Sequence, residues 1–274
     1  MRVFVTVDIE GIAGVVHGAE CEPGNAEYER ARRLMTEEAN AVVAGIYDAD
    51  PAARVTVADV HGPYRNMLPE QLDERAISSR GKPKLYGMVD GLDDGYDQAM
   101  FIGVHGRAGT GTGVLSHTLT SQILGISVNG EPFGELGLNA AMAGAWGVPV
   151  TLVAGDQAAA REARELLGSD VVTVEVKQSR AHQAAESLHP AVARAKLREG
   201  AARAVRVQAP VRPLLLETPI TVEVGFTSPV YADLAELIED VERVTGNTIR
   251  YTRLDMPRVY RVLRLITVLC STPL

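Results

Sequence analysis

Continuous apolar, β-branched runs alternate with helix-forming segments through the first part of the chain, and this alternation constrains the fold most strongly. The apolar runs predict four strands, at residues 3–7, 54–58, 99–104 and 148–154. Segments rich in Ala, Glu and Arg predict helices at residues 27–46 and 157–167. Because the strand runs are apolar throughout, they fit strands that are buried on both faces. We therefore predict an α/β fold in which a mainly parallel sheet is flanked by helices.

The composition changes near residue 172, and a second domain is predicted to begin there. Residues 179–207 contain many Ala, Arg and Glu residues but few large apolar ones, which predicts one long helix. A proline-containing connector follows at 210–219, and strands and helices are then predicted at 221–226, 232–244, 248–254 and 257–270. We therefore predict an α/β domain over residues 1–172 and a smaller α+β C-terminal domain over residues 173–274.

Two local features refine this outline. Asn129-Gly130 is a strong signal for a tight β-turn, so one antiparallel hairpin is predicted there. His182 and His189 lie seven residues apart on the predicted helix 179–207, and hence on one face of it. We interpret that face as solvated or as an interface rather than as a metal site.

The charge and the cysteine content restrict the partners and the compartment. The formal net charge is −8, from 27 Lys and Arg against 35 Asp and Glu. Nucleic acid and anionic membranes reward clustered basic residues, so neither is expected as the main partner. The two cysteines, Cys21 and Cys270, lie near opposite ends of the chain and predict no disulfide framework. No signal peptide or membrane-spanning run is visible, and a soluble cytoplasmic protein is expected.

Polar side chains that can bind metal follow three of the predicted strands. Asp8 and Glu10 end the first strand, His61 follows the second, and His105 follows the third. In open parallel sheets, ligands bind in the crevice beyond the carboxyl ends of the strands. Glycine follows Glu10, His61 and His105 directly, which allows the backbone to turn sharply beside a ligand. Packing of an apolar core does not explain why a polar, metal-binding residue type follows each of three strands.

The residue types at these strand ends suit a metal site. Asp8 and Glu10 are two apart and point to one face of an extended chain, where they repel unless a cation or a shared proton compensates. Neutral imidazoles of His61 and His105 add nitrogen ligands, and mixed N/O ligation suits zinc, with manganese or cobalt as alternatives. The competing interpretation is that Asp8 and Glu10 only cap the turn that follows.

Two further candidates lie downstream. Residues 106–117 are glycine-rich but lack the Gly-Lys-Ser/Thr ending of a phosphate loop, so we interpret them as an active-site loop. This loop would deliver His117, for which a plain surface position is the alternative. Glu135 opens an apolar helix predicted at 136–146, and its carboxylate either favours the helix macrodipole or joins the site.

The motifs occur together in the order typical of one known family. The relevant segments are 1–14, 28–40, 88–93, 103–105, 113–117, 134–139, 153–156 and 176–178. They resemble the D-aminopeptidases of the dipeptide-transport type, zinc peptidase family M55. The resemblance covers nearly the whole chain and is strongest over residues 1–180.

The resemblance implies a site with two zinc ions per chain and five ligands: Asp8, Glu10, His61, His105 and Glu135. In that pattern Asp8 bridges the ions. Glu10 and His105 complete the ligands of one ion, and His61 and Glu135 complete those of the other. It also implies that the second domain contributes to the pocket and to a ring-shaped homo-oligomer, for which a decamer is one form.

The function predicted on this basis is a binuclear zinc aminopeptidase that releases N-terminal, D-configured amino acids from short peptides or amides. The reaction would use metal-activated water and the assistance of His117, as an acid/base group or as a nucleophile. Two alternatives stay open at this point. One is another binuclear metal hydrolase, such as an amidase or a phosphoesterase. The other is a non-catalytic peptide-binding protein.

Overall fold

Two β-sheets and the helices packed on them form the part of the chain that the computed structural model describes, residues 1–206 and 211–271. The helices are α1 (Ala26–Ala49), α2 (Glu135–Ala145), α3 (Gln157–Leu167), α4 (Pro190–Arg206), α5 (Pro229–Ala235) and α6 (Met256–Cys270). The strands are β1 (Arg2–Val7), β2 (Arg54–Asp59), β3 (Ile77–Ser79), β4 (Gln98–Val104), β5 (Ile123–Val128), β6 (Glu131–Phe133), β7 (Val150–Asp156), β8 (Val172–Ala181), β9 (Ala184–Ser187), β10 (Ile220–Phe226), β11 (Val241–Thr245) and β12 (Thr248–Arg253).

The larger sheet has the order β3-β2-β1-β4-β7-β8-β9, and all its pairs are parallel except that of β8 with β9. Its inner strand β1 is buried on both faces. Val3, Val5 and Val7 pack with side chains of α1 and α4, whereas Phe4 packs on the opposite face, in the core that includes α2 and α6. Continuously apolar strands are the expected consequence of such double burial. The predicted α/β class with a mainly parallel, helix-flanked sheet is confirmed.

The smaller sheet is antiparallel, with the order β11-β12-β10-β5-β6. Its apolar side chains, among them Val222 and Tyr251, share a core with α5, α6 and the Phe4 face of the larger sheet. Strands β5 and β6 precede residue 172 and β10–β12 follow it, so this sheet draws on both sides of the predicted domain boundary. That boundary stays a prediction. Among the described residues, no helix combines the length and apolar character that crossing a bilayer requires.

The predicted hairpin at Asn129-Gly130 is confirmed. Strands β5 and β6 pair directly across it, with Val128 opposite Glu131. Asn129 and Gly130 have φ values of 50° and 86°. Two successive positive φ values are what a two-residue turn needs to match the right-handed twist of its strands, and Asn-Gly adopts them at low cost.

The long helix predicted at 179–207 is wrong in its first part. The chain instead continues strand β8 to Ala181, turns at residues 182–183 and returns as β9 before α4 begins at Pro190. Alternating burial along β8 and its pairing with β7 outweigh the helix-favouring Ala and Arg content. His182 therefore lies in a hairpin turn and His189 just before α4, so they do not share a helix face.

The helix predicted at 232–244 is also wrong in its second half. Helix α5 ends at Ala235, and residues 241–245 form strand β11, which pairs with β12. The alternating sequence of β11 suits a strand with one covered face. The strands and helices predicted at 221–226, 248–254 and 257–270 are confirmed as β10, β12 and α6. Residues 207–210, where the predicted connector begins, and 272–274 lie outside the described residues.

Candidate metal centre

The site lies where three adjacent strands end. Strands β2, β1 and β4 are neighbours in the larger sheet, and Val7 pairs with Asp59 on one side and Ile102 on the other. Because these parallel strands end at one edge, the residues that follow them meet there. The structure thus brings Asp8, His61 and His105 together.

Two glycines allow the loop after β1 to lie directly against β4. A Cβ atom on Gly11 would stand 2.2 Å from the Gly103 carbonyl carbon, and one on Gly103 would stand 2.1 Å from the carbonyl oxygen of Asp8. Gly103 also has a φ of 72°, which lies in the left-handed region that residues with a Cβ atom disfavour. The Gly11 amide donates to the Gly103 carbonyl at 2.8 Å. This close approach sets Asp8 beside the end of β4, where His105 begins the next loop.

The two oxygens of the Asp8 carboxylate face two different imidazoles. Oδ1 lies 3.1 Å from Nδ1 of His61, and the same nitrogen lies 2.9 Å from Oε2 of Glu10. Oδ2 lies 3.9 Å from Nε2 of His105, which is 3.7 Å from Oε2 of Glu135. Asp8 therefore stands between a Glu10–His61 pair and a His105–Glu135 pair.

His117 is brought to the same cluster by the glycine-rich loop. Its Nε2 lies 3.7 Å from Oε1 of Glu135 and 4.0 Å from Oε1 of Glu10. Its ring is stacked on that of His105, with centroids 4.3 Å apart and an interplanar angle of 9°. Donor atoms of His105, His117 and Glu135 lie within 4.8 Å of one another, as do those of Asp8, Glu10 and His105. All six predicted site residues thus surround one small space.

The glycine-rich loop is anchored on both sides. The Val114 amide donates to the Asp156 carboxylate at 2.8 Å, and the Leu115 amide donates to the His182 carbonyl at 2.8 Å. Asp156 ends β7, and His182 lies at the tip of the β8–β9 hairpin. The position of His117 therefore depends on two strands that the sequence does not visibly link to it.

The hydrogen bonds of the three imidazoles identify which ring nitrogen faces the carboxylates. Nδ1 of His105 lies 3.1 Å from the Gly106 carbonyl, and Nδ1 of His117 lies 2.9 Å from the Leu115 carbonyl. Nε2 of His61 lies 2.9 Å from the carbonyl of Cys21. A carbonyl only accepts, so each of these nitrogens is the N–H donor. In a neutral ring, the opposite nitrogen then presents a lone pair to the carboxylate cluster.

An imidazole lone pair that faces a carboxylate needs a proton or a metal ion between the two. Asp8, Glu10, His105 and Glu135 are buried, so solvent does not screen the repulsion. Imidazole nitrogens and carboxylate oxygens are a ligand set that zinc accepts. The backbone acceptors on the far side of each ring are the outer hydrogen bonds that orient histidine ligands in metal sites. The donor set therefore fits a metal centre.

Without a metal ion, the charges of the cluster already act strongly on each other. Burial and the neighbouring charge of Glu10 raise the pKa of Asp8 well above its usual range. Burial opposes ionisation of Glu10 as well, but the charge of His61 and its hydrogen bond hold the pKa of Glu10 well below its usual range. Burial opposes protonation of His61, yet the charge of Glu10 and hydrogen bonds to Asp8 and Glu10 raise its pKa well above the usual value. A positive charge at the centre of the cluster is thus favoured.

A buried lysine, which the sequence reading did not single out, holds the loop that carries Glu10. Lys177 lies on β8, and its Nζ donates to the carbonyls of Glu10, Ile12 at 3.0 Å and Val15 at 2.5 Å. Three acceptors need three N–H groups, so the side chain is an ammonium. Burial lowers the pKa of Lys177 to about 8, which still leaves it mainly protonated at pH 7.

Among the described residues, two cavities large enough for a small molecule adjoin the cluster. The larger, of about 590 Å³, is bordered by Glu10, His61 and His117 and by Leu124 and the hairpin tip at residues 182–183. The smaller, of about 190 Å³, is bordered by Asp8, Glu135, Tyr64, Lys82 and Arg264. The hairpin was predicted as helix, so its place in the cavity wall was missed. The alternating apolar residues of β8 are the sequence signal that indicates it.

Known proteins resemble this chain over its full length. The family model for D-aminopeptidases of peptidase family M55 matches residues 1–265. A D-aminopeptidase of Bacillus subtilis (strain 168) is 37% identical over 270 residues, which cover 98% of this chain and 97% of that protein. A solved structure described as the Zn-dependent D-aminopeptidase DppA from Bacillus subtilis, a self-compartmentalizing protease, matches with a TM-score of 0.95 and 36% identity, and 100% of both chains is covered.

The hydrogen bonds of Lys177 lead to a stability prediction. Lys177→Met keeps the length of the side chain but leaves the carbonyls of Glu10, Ile12 and Val15 without their donor. We expect the free energy of unfolding to fall by about 3–5 kcal/mol, because each of three buried carbonyls loses a hydrogen bond at a cost of about 1–3 kcal/mol. Urea denaturation measures it, with Lys196→Met, a substitution of an exposed lysine on α4, as the matched control. A loss no larger than that of the control would contradict the anchoring role.

Proposed function

The chain belongs to peptidase family M55, the D-aminopeptidases, and we propose that it is a zinc aminopeptidase that releases N-terminal D-amino acids from short peptides. The metal part of this proposal rests on three imidazole rings. Each ring donates from one nitrogen to a backbone carbonyl, so its other nitrogen faces the buried carboxylate cluster. Family membership supports the peptidase part, because the matching model spans residues 1–265.

We propose that Asp8, Glu10, His61, His105 and Glu135 would hold two zinc ions in each chain, with Asp8 as the ligand that both ions would share. Glu10 and His105 would complete the ligands of one ion, which the grouping of donor atoms of Asp8, Glu10 and His105 within 4.8 Å of one another supports. His61 and Glu135 would complete the ligands of the other. When bound, such an ion pair polarises a carbonyl and lowers the pKa of water.

His117 is the acid/base group of this proposal. The hydrogen bond from its Nδ1 to the Leu115 carbonyl fixes the ring and leaves Nε2 facing the cluster. His117 borders both cavities, and its Nε2 lies 4.0 Å from Oε1 of Glu10 and 3.7 Å from Oε1 of Glu135. From there it can take a proton during attack on the scissile carbonyl and pass it to the departing amine. Its stacking on His105 keeps the ring beside the proposed ligands.

The substrate and the assembly are proposed from the relatives. The B. subtilis proteins carry the name D-aminopeptidase, so we propose a preference for an N-terminal D-residue. The solved relative is described as self-compartmentalizing, which supports a homo-oligomer, and we propose a decamer that encloses the sites. The free amino group of the substrate would lie against Glu10 on the side of the larger cavity.

The first test of this proposal concerns metal content. The purified protein, after reconstitution with zinc and removal of excess, is expected to hold close to two ions per chain by elemental analysis. Asp8→Ala removes the bridge and should lower the content of both sites. Glu22→Gln, which removes an exposed carboxylate at the rim of the larger cavity, is the matched control and should retain both ions. Zinc at background level in the unaltered chain would overturn the assignment.

The second test concerns His117. We expect His117→Ala to lower kcat at least about a hundredfold, the usual contribution of a positioned acid/base group, while zinc content stays unchanged. His182→Ala is the control. This histidine borders the same cavity, but its hydrogen bond to the glycine-rich loop comes from its backbone carbonyl, which the substitution keeps. Normal turnover by His117→Ala would return this residue to a surface role.

The third test concerns the substrate. D-Ala-D-Ala should be cleaved faster than L-Ala-L-Ala, and N-acetyl-D-Ala-D-Ala should resist cleavage, because acetylation removes the lone pair of the amine and adds bulk. The measurement is kcat/KM by detection of released alanine, with p-nitrophenyl phosphate as a test of phosphoesterase activity. Equal cleavage of free and blocked peptides would exclude an exopeptidase. A preference for the L-peptide would remove the stereochemical claim alone.

A further inference from the structure

The smaller cavity beside the metal centre has a basic wall. It borders Asp8 and Glu135 on one side, and Lys82 and Arg264 on the other. Lys82 belongs to the loop after β3, and Arg264 lies on α6, so two distant parts of the chain supply the positive charges. The larger cavity shares Glu10, His61 and His117 with it, and none of the described residues that border the larger cavity is Lys or Arg. The two sides of the candidate centre therefore differ in charge.

Neither cation of this wall is neutralised within the described part of the chain. Arg264 is partly buried, and its Nε is fully buried without a hydrogen-bond partner among residues 1–206 and 211–271. Lys82 lies at the exposed rim, with its Nζ 4.5 Å from the ring centroid of Tyr64. Partial burial and the charge of Arg264 lower the pKa of Lys82, and no carboxylate offsets that effect. In the described residues, neither side chain forms an ion pair.

Two adjacent, uncompensated cations and a buried N–H that lacks an acceptor indicate a site for an anion. A guanidinium binds a carboxylate through paired hydrogen bonds, and an ammonium at the rim adds attraction without fixed geometry. The volume of about 190 Å³ lies below the 300–1,000 Å³ range of usual ligand pockets. It suits the end of a small peptide rather than an extended chain.

We propose that Arg264 and Lys82 bind the free C-terminal carboxylate of a dipeptide whose scissile bond lies at the metal centre. This inference rests on the proposed peptidase function and names its substrate class: dipeptides with a free C-terminus, in preference to peptide amides and longer peptides. The C-terminal residue occupies the smaller cavity, and the N-terminal residue lies towards the larger one. Arg264 and Lys82 are specificity-determining residues in this arrangement, and the hydrolytic groups remain those on the other side.

The experiment compares D-Ala-D-Ala with its C-terminal amide, D-Ala-D-Ala-NH₂. The amide lacks the carboxylate but keeps the scissile bond and the amino group. We expect the unaltered protein to favour the free acid by about ten- to a hundredfold in kcat/KM, mainly through KM, as for a charge-assisted hydrogen bond that is lost. Arg264→Gln and Lys82→Gln should each lower kcat/KM for the free acid by about tenfold or more. The same two variants should change kcat/KM for the amide by no more than about twofold, and their zinc content should equal that of the unaltered protein.

Two further variants distinguish the loss of the carboxylate site from a general loss of structure. Arg264→Lys keeps the charge and should recover part of the preference for the free acid. Arg261→Gln replaces an exposed arginine on the same helix, which donates to the hydroxyl of Tyr86, and should leave both substrates unaffected. An equal loss on acid and amide in Arg264→Gln would overturn the carboxylate site. The same conclusion would follow if the unaltered protein showed no preference for the free acid.

A binding measurement separates this inference from the proposed function. Calorimetric titration of zinc-free protein with D-Ala-D-Ala and with its amide needs no turnover. We expect the acid to bind at least about tenfold more tightly than the amide, and Arg264→Gln to abolish the difference. If this holds while the zinc-loaded protein cleaves neither compound, the peptidase proposal fails and the carboxylate site stands. If the acid and the amide bind equally well, and Arg264→Gln does not change their affinities, the carboxylate site is refuted whether or not the protein is a peptidase.

Discussion

Mutual repulsion between the carboxylates of Asp8, Glu10 and Glu135 is the constraint on which the site depends. These groups are buried, and in a low-dielectric interior such a cluster is costly unless positive charge lies among them. The surrounding structure supplies only part of that charge. Three imidazoles face the carboxylates through one nitrogen each, while the far side of each ring donates to a backbone carbonyl. The fold thus fixes an arrangement of acceptors that zinc would complete.

Much of the fold and of this arrangement could be predicted because the information is local. Apolar runs indicate the central strands, and a polar residue directly after such a run must lie at the edge of the sheet. Asp8, His61 and His105 could be assigned to one crevice on that ground alone. The Asn129-Gly130 turn is equally local, since two residues determine its backbone conformation.

The remaining features depend on contacts between distant segments, which local patterns do not encode. The Ala- and Arg-rich stretch after residue 178 favours a helix by composition, yet pairing with β7 makes it the continuation of β8. Strand β11 forms because β12 offers it a partner. The sequence places Glu135 and His117 only on a helix and a loop, and their distances to the cluster follow from the packing of α2 and the hairpin tip. The basic wall joins Lys82 to Arg264, residues that no motif connects.

The two faces of the cluster suggest how one fold could serve different substrates. The residues of the candidate centre come from the loops after β1, β2 and β4, from the glycine-rich loop and from the start of α2, whereas the basic wall comes from a surface loop and the C-terminal helix. Changes at Lys82 or Arg264 leave the strand ends untouched, so substrate preference can vary independently of the chemistry. In this chain, α6 packs on α2, the helix that begins with Glu135, and the wall is therefore held close to the cluster.

The ammonium of Lys177 has a consequence for the order of events during folding. The carbonyls that it holds lie 162 to 167 residues earlier in the chain. A ribosome that has synthesised the loop around Glu10 has not yet made the residue that fixes it, and closing so long a loop is slow compared with forming helices. Asp8 and Glu10 therefore reach their final geometry only after β8 has joined the sheet. In the proposed site, metal binding would thus be one of the last steps in the maturation of this chain, since a nascent fragment that ends before residue 177 contains Asp8 and Glu10 but lacks the contact that positions their loop.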